Sequence, residues 1–223
     1  MNKISIFVLL ILVYLGISKS FSPSEKRTAY LSNELVFNNY FTGEPVSVIL
    51  LDSLSSGFLI KTYHHKYKIV HAFKIPEVIT VRTSKKFWNK NLKNHGMSLF
   101  RRKERTLETS TVIMPPGALF LGDPAYGTWE LTNYGSKVWK FHRTYKNFPQ
   151  IFGWAEFKPD LDFYQRMKIY QSNEKSFYGP KNEFGTQGTT RIKKTIKKQK
   201  QRVLPKVSTI LKEYFQIPSW DEK

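Results

Sequence analysis

From Val46 onward the apolar positions come in short runs separated by turn residues. VSVILL (46–51) is continuous, and DSLSSG (52–57) has the composition of a turn. FLIKTY (58–63) and YKIVHAF (67–73) flank His64, His65 and Lys66. In EVITVRT (77–83), Ile79 and Val81 share one face and Thr80 and Arg82 the other, with Val78 the apolar exception on the polar face. β-Branched and aromatic runs bounded by turn residues predict strands. The rhythm breaks at 84–109, where Lys85, Lys86, Lys90, Lys93, Arg101, Arg102, Lys103 and Arg105 face only two acids, Glu104 and Glu108. That composition predicts a long basic loop or a short helix. Strands are expected again at TVIM (111–114), ALFL (118–121), TWEL (128–131), KVWKFHRT (137–144) and IFGWAEF (151–157), with PPG, GDPAYG, TNYGS and YKNFP as turns. This spacing predicts a mainly β fold, a small antiparallel barrel or sandwich.

The flanks follow other patterns. Residues 21–45 are polar, punctuated by Pro23, Gly43 and Pro45, and within them Thr28 to Phe41 suits a short helix or an irregular arm. Asp162 to Ser172 fits strand and helix templates equally imperfectly. Residues 173–190 form a glycine-containing linker, with Gly179, Gly185 and Gly188. Beyond it, Val207, Ile210, Leu211, Tyr214 and Phe215 make a helical stripe, with Pro205 placed for its first turn and Pro218 for its end. The chain therefore divides into 1–20, an arm at 21–45, a β-rich domain at 46–172 with a basic insertion at 84–109, the linker 173–190, and a basic helical tail at 191–223.

The first segment is an address. Lys3 precedes an apolar run from Ile4 to Ile17, and Ser18 and Ser20 stand at the −3 and −1 positions of a cleavage after Ser20. This is the pattern of a secretory signal peptide. The run is short against the ~20 apolar residues of a spanning helix, although an uncleaved N-terminal anchor is the alternative. Either way the remainder is expected to be exported, to the periplasm or beyond. The 223 residues carry Lys+Arg 36 against Asp+Glu 17, a formal charge of +19; loss of Lys3 and Lys19 leaves +17. In an exported protein that charge suits anionic head groups or envelope polymers rather than nucleic acid. The absence of cysteine excludes disulfides, thiolate metal sites and thiol nucleophiles.

Within 111–157, Pro116-Gly117, Trp129 and Gly153-Trp154 stand as a Pro/Gly turn, a Trp corner and a closing Gly-Trp strand. In this the segment resembles the bacterial Src-homology-3-like barrel. The resemblance implies a noncatalytic module that often binds cell-wall peptide. The aromatic density of the segment, Trp129 and Trp154 included, could separately pave a ligand groove, since aromatic rings offer flat faces to sugars or peptides. The competing reading of the same aromatics is a packed core.

Other candidate chemistry is sparse. His64 and His65 are neighbours on a predicted strand and point to opposite faces, so they cannot share a metal. No HExxH or GxSxG pattern occurs, and neither metal nor cofactor is implied. Glu156, Asp160 and Asp162 cluster after the Gly-Trp strand and could act as acid and base of a small polysaccharide hydrolase. Asp160, following Pro159, equally suits a helix cap. GTQGTTR (185–191) is either an anion-binding loop or a flexible linker. The densest charge is RIKKTIKKQKQRVLPK (191–206), which includes Arg191, Lys193, Lys194, Lys197, Lys198, Lys200 and Arg202, with no acid between Glu183 and Glu213. A basic amphipathic helix of this kind lies on an anionic surface or keeps a protein solvated. The expected function is a noncatalytic binding or structural protein of the bacterial envelope, with the hydrolase as alternative.

Overall fold

A computed structural model describes residues 3–21, 28–57, 60–104, 108–154 and 156–190. The tail that carries the basic run and the helical stripe lies outside the described residues, as do Arg191, Lys193, Lys194, Lys197, Lys198, Lys200 and Arg202. The architecture is mixed α/β rather than mainly β. A six-stranded sheet curls into half of a barrel, accompanied by five α-helices among the described residues. The first helix, α1 (Lys3–Phe21), exposes the apolar side chains of residues 4–15. Among the described residues no helix is long and apolar enough to cross a membrane.

The sheet is built from β1 (Tyr30–Leu31), β2 (Val46–Ser56), β3 (Thr62–His71), β4 (Glu77–Thr83), β5 (Ser98–Arg102) and β6 (Thr109–Ser110), in the order β1-β4-β3-β2-β5-β6. Every pairing is antiparallel except β1 with β4. DSLSSG is strand, not turn: β2 runs through it, and Ser53, Leu54 and Ser55 pair with His65, His64 and Tyr63. Cross-strand pairing overrides the turn composition there, as it often does for strand propensity. Alternation in β4 is as the sequence predicts, with Val81 buried and Val78 exposed.

Two short helices cover one face of the sheet. Asn33 caps α2 (Glu34–Tyr40), accepting from Val36 N, and Ser84 caps α3 (Lys85–Asn91), accepting from Phe87 N. Phe37 and Phe41 descend from this layer onto Tyr67 and Phe100, and Phe87 packs on Phe37 and His65. The basic insertion is thus a capped helix followed by a strand.

Segment 111–157 departs furthest from the expected run of strands. It contains one hairpin, β7 (Gly127–Leu131) with β8 (Lys137–Phe141), and the helix α4 (Phe148–Phe152). TVIM contributes only a bridge between Ser98 and Met114. ALFL is a tight turn, with Phe120 N and Leu121 N donating to Gly117 O. Pro149 sits in the first turn of α4 and Gly153 ends it at φ 72°, the usual placing of these two residues around a helix. The next helix, α5 (Leu161–Ser172), begins at Asp160, whose carboxylate accepts from Phe163 N at 2.8 Å. That bond decides between the strand and helix templates in favour of helix. The aromatics of this region form a core: Phe120, Phe141, Phe148, Phe152 and Trp154 pack ring against ring.

Candidate functional site

A cavity of about 1110 Å³ opens along the β5–β6 edge of the sheet, between α2 and α3, segment 108–126 and α5. It is slightly larger than the ~300–1,000 Å³ typical of small-ligand pockets. In β5, alternation sets Leu99 and Arg101 on one face, and both reach the cavity wall. Val112, Ile113, Leu119, Leu121 and Tyr164 continue that wall from the neighbouring segments.

Arg101 is the unusual member. Its side chain is buried, with 3% of the residue exposed. Its guanidinium donates to Ser98 O at 3.3 Å, to Ser110 Oγ at 2.9 Å and to Val112 O at 2.6 Å. These partners satisfy its N–H groups but are neutral, so they leave its charge without a counterion. Burial accordingly pulls the guanidinium down to about 9, far below the usual range for arginine. Buried cations normally sit against a carboxylate, because an unpaired charge in low dielectric is costly.

Two lysines add to the positive field. The Lys168 ammonium lies 5.9 Å from the centre of the Tyr164 ring. Burial pulls its pKa down first, and Lys103 and Arg101 lower it further, while Glu108 acts in the opposite sense. These four groups therefore feel one another. Carboxylates line the cavity as well: Glu34, Glu104, Glu108, Asp123 and Glu174 stand with Lys90, Arg101, Lys103 and Lys168. Glu108 forms an ion pair with Lys103 at 2.9 Å, and Glu104 accepts from the Tyr126 hydroxyl, which burial first and then Glu104 push up to about 12. Among the described residues, Arg101 and Lys168 form no ion pair with a carboxylate.

The residues singled out from the sequence lie elsewhere. Trp154 is a core residue, 3% exposed, with its indole N–H donating to Pro116 O at 2.9 Å. Its ring has no face free for a ligand, which corrects its placing on a groove. Trp129 is half-buried against Trp139 and Tyr164. Asp160 is a helix cap, Asp162 pairs with Arg166 one turn along α5 at 2.9 Å, and Glu156 is exposed. None of the three carboxylates lines the cavity. The glycine-rich loop points its amides inward: Thr186 N, Gly188 N and Thr190 N donate to the carbonyls of Lys93, Gly185 and Glu183. Those amides are therefore spent within the fold rather than offered to an anion.

The histidines separate as strand geometry requires. His65 is fully buried, its Nδ1 2.8 Å from the Tyr67 hydroxyl, while His64 on the opposite face is only partly covered. His95 Nε2 meets Ser53 Oγ at 2.8 Å, but neither residue lines the cavity. Among the described residues no group of three or more His, Asp or Glu is arranged to hold a metal ion.

Sequence reasoning passed over Arg101, which it counted with the basic insertion. The available signal was position: in SLFRR (98–102) Arg101 stands two residues from Leu99, on the same face of the strand. Comparison with protein-family models, with curated proteins and with solved structures finds no match to this chain.

Proposed function

We propose that this chain is an exported, noncatalytic binding protein of the bacterial envelope that receives an anionic ligand in the cavity beside β5. The observation that carries this reading is Arg101, a buried cation in the cavity wall with only neutral hydrogen-bond partners. An anion entering there supplies the missing counterion, and charge-assisted bonds in a desolvated site are strong. The formal charge of +19 attracts such ligands over a distance. A noncatalytic module is what remains of the Src-homology-3-like resemblance in this reading, since 111–157 builds one hairpin and one helix, α4. The half-barrel sheet is the β-barrel element to which the reading attaches. The three carboxylates of the hydrolase alternative have no shared cavity to act in.

Thermal unfolding of the full chain tests this reading. Inorganic phosphate and decanoate are compared with chloride at matched ionic strength. A ligand at one hundred times its Kd stabilises by about 2.7 kcal/mol, and each kcal/mol moves Tm by ~2–4 °C at this size. At least one of the two anions is expected to raise the wild-type Tm by several degrees, and Arg101→Gln and Lys168→Gln are expected to lose most of that rise. If neither anion acts, or both variants respond as the wild type does, the reading fails.

The basic run 191–206 has a part in the same proposal, bringing the chain to anionic surfaces. Each Lys or Arg near such a surface contributes ~1 kcal/mol. Co-sedimentation with anionic vesicles is expected to be strong at low salt and to weaken steeply as screening shortens to ~8 Å at physiological ionic strength. Replacing Lys193, Lys194, Lys197 and Lys198 by Gln is expected to remove most of it. Equal sedimentation with neutral vesicles would remove the run from the proposal.

A further inference from the structure

We infer that the cavity takes a single-chain amphipathic anion, its acidic head on Arg101 and Lys168 and its hydrocarbon chain against Leu99, Leu119, Leu121 and Tyr164. This rests on the anion-binding reading above and names the class of ligand. The argument starts from the composition of the wall. A site for a small polar anion surrounds the ligand with donors. Here Arg101, bonded to neutral groups, and Lys168, attracted by Glu108 but in no ion pair among the described residues, stand beside apolar side chains: Leu99 shares a strand face with Arg101, and Lys168 rides over the Tyr164 ring. Gly122 lies so close to that ring that a Cβ there would meet it at 2.4 Å, which fixes Leu121 and Tyr164 as adjoining parts of one wall.

Size and charge both fit a chain with a head. A lone phosphate or carboxylate would leave most of the 1110 Å³ to water. A hydrocarbon chain fills it and gains in proportion to the apolar surface it covers. Of the carboxylates on the wall near the cations, Glu108 is held by Lys103 and Glu104 by Tyr126. Among the described residues, five carboxylates share the lining with four cations, so the attraction for a head group is local to Arg101, whose hydrogen bonds all go to neutral partners. Asn38, on the α2 side of the cavity, has a buried side-chain oxygen with no hydrogen-bond partner. It is an acceptor that a donor on a ligand or a bound water can use.

The test is a chain-length series measured by calorimetric titration of the full chain with acetate, octanoate and dodecanoate, each below its micelle-forming concentration. Each methylene that enters an apolar site is worth roughly fourfold in affinity. Dodecanoate is therefore expected to bind at least a hundredfold more tightly than octanoate, and acetate weakly. Lys168→Gln, a substitution at an exposed position, is expected to weaken dodecanoate about tenfold, the low end for a charged hydrogen bond. Leu119→Trp, which fills the wall, is expected to weaken dodecanoate and to leave acetate unchanged. Because α1 is retained in every variant, binding of chains to its exposed apolar residues cancels between variants, and the dependence on Lys168 and Leu119 assigns the chain-length effect to the cavity. If acetate and dodecanoate bind equally and both depend on Lys168, the anion site stands and the hydrocarbon part of the inference falls. If dodecanoate binds all variants alike, the cavity is not its site. A further arm offers phosphatidylglycerol vesicles in place of the free acid. After the vesicles are removed at high salt, which releases the surface contact of the basic run, recovery of the chain free of phospholipid supports a single-chain ligand, and retention of one two-chain lipid per chain overturns it.

Discussion

Replacing Trp154 by Ala is expected to cost about 3–5 kcal/mol of folding stability, the range for truncating a large buried aromatic. Three features put it there. The ring is almost wholly buried and packs against Phe141, Phe152 and Phe157. Its indole N–H is spent on Pro116 O, so truncation also orphans a buried carbonyl. Its edge fills the space over Gly117, where a Cβ would stand 2.6 Å from the indole and 2.8 Å from the Phe152 ring. Gly117 has φ 86°, so the PPG turn and the indole fix each other's positions. Trp154→Phe keeps most of the packing and loses the hydrogen bond, and is expected to cost about 1–2 kcal/mol. Urea unfolding of the three proteins decides it. A cost below 1 kcal/mol for the Ala variant would mean that the ring is a surface feature after all, as a ligand groove would require.

The same residue shows what was legible in the sequence. Aromatic density between 126 and 157 announced either a groove or a core, and pattern alone could not choose. The choice is made by the path of the chain from α4 through Gly153, which turns the Trp154 side chain inward. The helix itself was written locally: Pro149 and Gly153 bracket five residues as helix boundaries do, but the apolar run IFGWAEF masks the signal. Asp160 carried its cap in plain view, and α5 follows from it. The strand of 77–83 was legible because alternation survives in it, whereas the runs 58–63 and 67–73, read as flanking His64, His65 and Lys66, meet in the single strand β3. In β2 alternation does not survive, and DSLSSG is strand only because β3 supplies partners across its whole length. Phe177 and Phe184 pack into the core from a segment whose glycines suggested a linker. Nothing local distinguishes an anchored loop from a free one when its anchors lie ninety residues earlier, as Thr186 does with Leu92 and His95.

The candidate site was the least legible part, and for a physical reason. A cavity is a property of several segments at once, here β5, β6, segment 111–126 and α5. Arg101 looks like its basic neighbours in sequence and differs only in burial. The expectation of an anionic partner came from charge summed over the whole chain. The structure concentrates attention on one charge out of many, because that one has lost its water and gained no carboxylate.

Stability of the protein is expected to fall by about 3 kcal/mol, through His65 alone, as the pH drops from 6.5 to 4. His65 is wholly buried, and burial is the largest cause holding its pKa down to about 4; the charge of His95 lowers it further, and the Trp88 backbone, which favours the proton, does not offset them. The groups around it are Tyr67, whose hydroxyl meets Nδ1, and His95, held to Ser53 on β2. Neither offers negative charge to an imidazolium, since burial keeps the Tyr67 hydroxyl protonated well beyond its usual range. Above pH 6.5 the ring is neutral in folded and unfolded chains alike, and the group contributes no pH dependence. Between 6.5 and 4 the unfolded chain binds a proton that the folded chain refuses, so each unit of pH removes about 1.4 kcal/mol. Below 4 both states are protonated and this contribution levels off. His65→Gln keeps an acceptor near Tyr67 and removes the titration. The variant is expected to be less stable than the wild type at pH 7.5, because a packed ring is lost, and to close that gap by about 3 kcal/mol at pH 4. Urea unfolding of both proteins across this window reads the difference directly, since the carboxylates that also titrate there are common to the two. Parallel curves would show that His65 takes up its proton in the folded state, which requires the layer formed by α3 and β3 to open at mild acidity.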